Sequence, residues 1–371
     1  MKELQEILQT IEQLEKTGTR YAIATVVKVS GSTYRGPGAR MLISEDGKTV
    51  GNISGGCLEN DVITNAREVI NSGEPRLVRY DTTAEEDIFW GTGLGCGGIT
   101  HIFIEPQSSL QPFLQRVRQD IRHHQPVVAA TVFEVQADLP IAPGARLMFD
   151  GSSLGVNTIP GGEFAVTLEK DVRYAYQSFS TETRTYSLPG GSVSVLMETL
   201  QPPQSLLIFG GGPDVFPVIS LANQLGWQIT VIDHREPFAD PERFPDADRV
   251  ILWQEEAFPE EVRIDERTVC VVMTHHYLTD KKILLHLLRS PAAYIGILGP
   301  AKRAKQLLDE VRDELPLSCE ITNRIYSPVG LDIGAETAEE IALSVIAEIM
   351  AVLHHREGGS LRERRGPIHQ R

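Results

Sequence analysis

Two cysteines stand in glycine-rich turns, Cys57 in Ser54-Gly55-Gly56-Cys57-Leu58-Glu59 and Cys96 in Gly93-Leu94-Gly95-Cys96-Gly97-Gly98. Glycine lets the backbone approach a ligand closely, and the amides of such turns can hold an anion and lower a thiol pKa. The chemistry suggested is that of a thiolate: a nucleophile, a redox partner, or a soft ligand to a metal or sulfur centre. Cys57 also precedes Leu58 to Asn71, where Val62, Ile63, Ala66, Val69 and Ile70 recur at helical spacing and Gly73 closes the run. The thiol is therefore expected at a helix N-terminus, where the macrodipole favours a thiolate and a bound anion. The alternative is two small apolar side chains packed in glycine turns. Cys270 lies in the apolar run Thr268 to Met273 and reads as buried, Cys319 lies in a polar loop, and neither carries a functional pattern. No further ligands at short spacing accompany Cys57 or Cys96, which argues against zinc.

The elements that position these turns occur twice. Pro37-Gly38-Ala39-Arg40-Met41 recurs as Pro143-Gly144-Ala145-Arg146-Leu147, an offset of 106 that also carries Ala24-Thr25-Val26 onto Ala130-Thr131-Val132 and Gly55-Gly56 onto Gly161-Gly162. Gly97-Gly98 returns as Gly190-Gly191 at an offset of 93. The copies, about 1–108 and 109–200, differ where chemistry is expected: Glu163 stands at the place of Cys57, Pro189 at that of Cys96, and Ala137-Asp138-Leu139-Pro140 replaces the Ser32-Thr33-Tyr34-Arg35 run. Repeats share backbone needs, so the first copy reads as active and the second as structural. The first copy is expected to run helix, strand, glycine turn, strand, glycine loop, helix, strand, strand. The second reads as richer in strands.

Gln201-Pro202-Pro203-Gln204 is a linker, and from Ser205 strands and helices alternate as in a doubly wound parallel sheet. The fold class is thus α/β: an internally duplicated α+β region over 1–200, a Rossmann-like domain over 201–355, and a charged tail over 356–371. In the second domain Gly210-Gly211-Gly212 follows a strand and precedes a helix, and Asp233 closes the next strand, an arrangement suited to a pyrophosphate and a ribose diol. Two residues count against tight dinucleotide binding. Val215 occupies the place of the third glycine, and Asp214 puts a negative charge near the phosphates unless it turns outward or caps the helix. His275, after the Val269 strand, and Gly299, after the Tyr294 strand, lie at the sheet edge where ligands bind; His275 reads as a proton carrier, a ligand, or a solvated loop histidine.

The formal charge of −15 argues against nucleic acid as the main partner. The N-terminal segment reads as an amphipathic helix rather than a signal peptide, and no apolar run approaches the roughly 20 residues of a membrane span, so a cytoplasmic protein is expected. In that compartment four cysteines are not read as a disulfide framework.

Taken together the motifs resemble the XdhC/CoxF proteins that mature xanthine and carbon monoxide dehydrogenases. The resemblance rests on Ser32 to Arg40, Gly51 to Glu59, Gly93 to Gly98, Asp233-His234-Arg235, Thr274-His275, Tyr294 to Gly299 and Ser327 to Ala335. It implies a protein that binds molybdenum cofactor, shields it while a cysteine desulfurase installs the terminal sulfur, and delivers it to a molybdenum hydroxylase such as xanthine dehydrogenase; it also suggests a homodimer. On that reading Cys57 and Cys96 face the molybdenum or a persulfide, Gly55, Gly56, Gly95 and Gly97 form an anion cradle, and Arg35 and Arg40 contact phosphate or oxo groups. Gly210, Gly212, Asp233, Arg235, His275 and Gly299 belong to a Rossmann site that forms the second wall of a cleft and takes NAD(P) or another nucleotide. Arg146 repeats Arg40 in the copy without cysteines, so Arg40 is also read as a brace of the fold. The chain departs from the family pattern at Pro213, Val215 and Pro300. The rival reading is an NAD(P)-dependent oxidoreductase with Cys57 or Cys96 as thiol partner, and a third is a nucleotide-binding regulatory module.

Overall fold

The computed structural model describes residues 2–82, 97–254, 258–259, 261–316 and 318–365, which fall into two compact units, Met1–Pro202 and Pro203–Arg371. In the first unit α1 (Lys2–Thr17), β1 (Tyr21–Gly31), β2 (Arg40–Ser44), β3 (Thr49–Gly51), α2 (Glu59–Ser72), β4 (Arg76–Asp81) and β5 (Gly98–Pro106) make one copy of the repeat. The second copy is α3 (Gln107–Arg122), β6 (Val127–Gln136), β7 (Arg146–Phe149), β8 (Leu154–Asn157), α4 (Glu163–Ser178), β9 (Glu182–Leu188) and β10 (Gly191–Leu200). The strand orders β3-β2-β1-β5-β4 and β8-β7-β6-β10-β9 are equivalent. Contrary to the sequence reading, the second copy is no richer in strands than the first; its helices α3 and α4 carry the same alternation of apolar and polar positions as α1 and α2.

The duplication extends to irregularities. The β1–β5 register skips between Val26 and Lys28, and the β6–β10 register skips across Phe133, the counterpart of Val27. A bulge turns its extra residue away from the ladder. Here Val27 and Phe133 meet Phe103 and Leu196 in a small shared cluster. One core packs α2 on the first sheet, a second packs α4 on the second sheet, and a third gathers α1, α3 and residues of both sheets. α1 joins that third core because Leu4, Ile7, Leu8, Ile11 and Leu14 fall on one helical face.

The second unit runs β11 (Ser205–Phe209), α5 (Val215–Gln224), β12 (Gln228–Asp233), β13 (Arg249–Leu252), β14 (Val269–Val272), α6 (Tyr277–Arg289), β15 (Tyr294–Ile297), α7 (Ala301–Glu314), α8 (Cys319–Thr322), β16 (Ile325–Tyr326) and α9 (Ala338–Leu353). The sheet order is β13-β12-β11-β14-β15-β16, with parallel pairing throughout. The order reverses direction between β11 and β14, so the carboxyl ends of those strands flank the crevice where such sheets take ligands. Val215 is fully buried in the core beneath α5. α9 begins with a capping box in which Thr337 and Glu340 satisfy one another's backbone amides. Among the described residues no helix is long and apolar enough to cross a membrane.

Candidate functional site

Cys57 is exposed and directly precedes Leu58, the N-cap of α2. Ser54 Oγ accepts from the amides of Gly56, Cys57 and Leu58 at 3.3, 3.2 and 3.2 Å, and from the Cys57 thiol at 3.4 Å. The same hydroxyl donates to Glu59 Oε2 at 2.5 Å, while the amides of Ser54 and Leu58 donate to the Glu59 carboxylate at 3.0 and 3.1 Å. Burial works to raise the Glu59 carboxyl, but hydrogen bonds from Ser54 Oγ and from the backbone amides of Glu59, Ser54 and Leu58 outweigh it and hold the group below the usual carboxylate range. Amides expected to face an external anion are thus already satisfied by Ser54 and Glu59. Cys57 borders an internally filled turn rather than an empty cradle. Gly56, at φ +105°, has open space around it, so the turn is accessible beside the thiol. The second copy cannot build this network, because Pro160 and Ala165 stand at the positions of Ser54 and Glu59.

The Ser32–Arg35 run reaches both glycine segments of the first copy. On one side the Ser32 amide donates to Gly97 O at 3.4 Å, and a Cβ on Gly98 would lie 2.3 Å from Ser32 O, so only glycine fits. On the other, the Tyr34 ring lies against Gly55, and Arg35 donates to Asn52 Oδ1 at 2.9 Å and to Glu3 Oε2 at 2.5 Å. Arg35 is therefore near the Cys57 turn, but its guanidinium is engaged in holding the loop to α1. Gly97 adjoins the same run; Gly95 and Cys96 lie outside the described residues.

Arg40 is elsewhere. It is buried against Glu198 of the second copy, with Nη1 donating to Gly38 O, and it does not reach the Cys57 turn. Its repeat partner Arg146 pairs with Glu105 of the first copy at 2.5 Å, and Phe113 lies 6.0 and 4.9 Å from the two guanidinium carbons. Burial raises the Glu105 carboxyl against the pull of Arg146 and Arg40. This crossed pair of ion pairs gives Arg40 the bracing role that its repetition suggests.

In the second unit Gly210 and Gly211 make a tight turn: a Cβ would meet Met273 O at 2.4 Å on Gly210 and Phe238 O at 2.2 Å on Gly211. The Gly211 amide donates to Asp233 Oδ2 at 2.7 Å. Asp233, 1% exposed, also accepts from the Arg235 amide, Nε and Nη2 at 2.8, 3.0 and 2.7 Å, and Arg235 lies over the Phe238 ring. Burial opposes ionisation of Asp233, yet the bonds from Arg235 and Gly211 hold its pKa below the usual range. The acid expected to take a ribose diol already accepts four hydrogen bonds. Asp214 neither turns freely outward nor caps α5: Oδ2 meets His275 Nε2 at 2.7 Å, and Oδ1 is buried without a hydrogen-bond partner among the described residues. That contact bridges the loops after β11 and β14, across the switch point. Pro213 and Pro217 lack N–H groups, and the Val215 amide donates to Gly212 O. A pyrophosphate would meet few free amides and a carboxylate, so these residues do not fit NAD(P), and that expectation is not supported.

Gly299, at φ +135°, lies next to Arg303, whose Nη2 donates to Asp280 at 2.7 Å; Asp280 also accepts from Thr274 Oγ1 at 2.5 Å. Sequence reasoning missed Ser54, Glu59, Tyr34 and Arg303. The first two carried a signal, since a serine and a glutamate, residue types that bond the backbone amides at a helix start, flank the glycine turn. Arg303 carried none, because an arginine in a polar helix start reads as solvated.

Comparison with known proteins gives a consistent assignment. Residues 14–81 match the profile described as the XdhC and CoxI family, and residues 206–349 that of the XdhC Rossmann domain. A Bacillus subtilis protein, named as one of the probable subunits of xanthine dehydrogenase, is 33% identical over 88% of this chain and 92% of its own. The Escherichia coli molybdenum cofactor insertion chaperone PaoD is 25% identical over 95% of this chain and 90% of its own. A crystal structure from Bacillus halodurans, described as a xanthine dehydrogenase, superposes with a TM-score of 0.76 at 31% identity, covering 97% of this chain and 98% of that one.

Proposed function

This chain belongs to the XdhC and CoxI family, and on that premise we propose that it binds molybdenum cofactor as cargo, shields it during sulfuration by a cysteine desulfurase, and delivers it to a molybdenum hydroxylase of the xanthine dehydrogenase type. The observation that carries the reading is likeness along 95% of the chain to a relative named for inserting molybdenum cofactor. The relative named for xanthine dehydrogenase supports the type of client.

The chemistry of the first copy agrees. Cys57 presents an exposed thiol on a turn that has open space at Gly56. A thiolate is a soft donor suited to a molybdenum or sulfur centre. Ser54 and Glu59 fix the turn that carries it, so the sulfur is held without ordering a loop on binding. Cys96 is proposed as a second contact from its turn sequence, and a homodimer as the working assembly.

Anaerobic titration of isolated molybdenum cofactor into the purified protein tests this. Wild type is expected to bind, and Cys57→Ala to bind about tenfold more weakly or worse, since even loss of groups supporting a metal ligand has effects of this size. Failure of the wild type to bind sinks the function; equal binding by Cys57→Ala and Cys96→Ala sinks the thiol roles alone.

A further inference from the structure

We infer that Tyr34 is a stacking platform for the flat heterocycle of the cargo, an inference that rests on the function proposed above and extends it to a residue outside the cysteine turns. Tyr34 lies between two fixed points. Before it, Ser32 is held against Gly97 and Gly98; after it, Arg35 is tied to Asn52 and Glu3. Between them Tyr34 remains 66% exposed, and its hydroxyl has no hydrogen bond among the described residues. Ring atoms lie 3.5–3.7 Å from where a Cβ would stand on Gly55, two residues before the exposed Cys57.

A single exposed aromatic needs no explanation by itself. The second copy supplies the contrast. Pro140 and Ile141 occupy the places of Tyr34 and Arg35, Glu163 that of Cys57, and Gly161 has no atom within 4 Å of its would-be Cβ. The aromatic ring, the arginine that fixes its loop and the thiol are present together in one copy and absent together from the other. A ring held on a fixed loop offers a π-surface at low ordering cost. The ligand chemistry that matches such a surface beside a soft donor is a fused nitrogen heterocycle, the pterin end of the cargo, stacked with the ring offset.

The test uses the full chain with two probes, intact molybdenum cofactor under anaerobic conditions and a metal-free pterin followed by its fluorescence. Tyr34→Ala is expected to weaken binding of both probes about tenfold or more, and Tyr34→Phe to keep both within about twofold of wild type, as stacking on an aromatic face predicts. Tyr34→Leu, which keeps bulk over Gly55 without a π-face, is expected to behave as Tyr34→Ala and to lose the pterin fluorescence change, with an unchanged Tm for all three variants. Cys57→Ala should weaken the intact cofactor only. Wild-type affinity in Tyr34→Ala or Tyr34→Leu overturns the inference and leaves the function standing; a loss in Tyr34→Phe equal to that in Tyr34→Ala overturns stacking in favour of the hydroxyl. No binding of the intact cofactor by wild type overturns both.

Discussion

Ser54 joins the Cys57 thiol to the Glu59 carboxylate, so the surroundings of the thiol are fixed by two residues that are not cysteines. Ser54→Ala leaves the Gly56 and Cys57 amides without their acceptor, while the Leu58 amide keeps Glu59, and is expected to cost about 1–2 kcal/mol, as loss of a hydrogen-bond acceptor does. Glu59→Gln tests the charge. The folded-state pKa of Glu59 lies below its ordinary 4.5, so its stabilisation is present above that value and is lost as pH falls through the folded value. Urea midpoints of wild type and Glu59→Gln should therefore differ at pH 7 and converge on acidification; a gap that is independent of pH would refute the ionic account. Cys57 was legible in the sequence because its glycine context is local. The filled state of its turn was not, because it depends on side-chain rotamers that spacing does not fix.

At the scale of elements, glycines decide which segments can touch. Gly98 permits the Ser32–Arg35 run to lie against the start of β5, and Gly98→Ala would place a methyl 2.3 Å from Ser32 O. That overlap is with backbone, so the strand or the run must move, at about 1–3 kcal/mol. The measurable consequence is a lowered denaturation midpoint together with weakened cofactor binding; stability lost without any change in binding would separate the run from the site. In the second unit the turn after β11 has the glycine pattern of a dinucleotide loop, yet Asp233, Asp214 and two prolines remove the groups that a pyrophosphate needs. Addition of NAD or NADP is expected to leave Tm unchanged, whereas a ligand that binds the folded state raises it with concentration. A rise that grows with dinucleotide concentration would restore the oxidoreductase reading.

Across the first unit as a whole, the two copies are joined by exchange: Arg40 of the first pairs with Glu198 of the second, and Arg146 of the second with Glu105 of the first. Arg40→Met leaves Glu198 buried and unpaired and is expected to cost about 3–5 kcal/mol, while Arg40→Met with Glu198→Leu should recover most of that loss. Cofactor binding by the double variant should equal wild type. A selective binding defect in a stable double variant would instead return Arg40 to the ligand-contacting residues.

The sequence by itself determined the duplication, the parallel sheet that follows the linker, the capping box of α9 and the family, because each rests on local spacing or on motifs in order along the chain. It also identified the copy that carries the exposed thiol. Only the tertiary structure decided which candidates share a place. Arg35 and Arg40 are five residues apart, yet Arg35 holds a loop beside Cys57 and Arg40 lies in a buried ion pair with a residue more than 150 positions away. Asp214 and His275 look unrelated in sequence and meet across the switch point. A charge in the sequence is free until the fold supplies its partner, and burial makes that pairing obligatory because an unpaired charge out of water is costly.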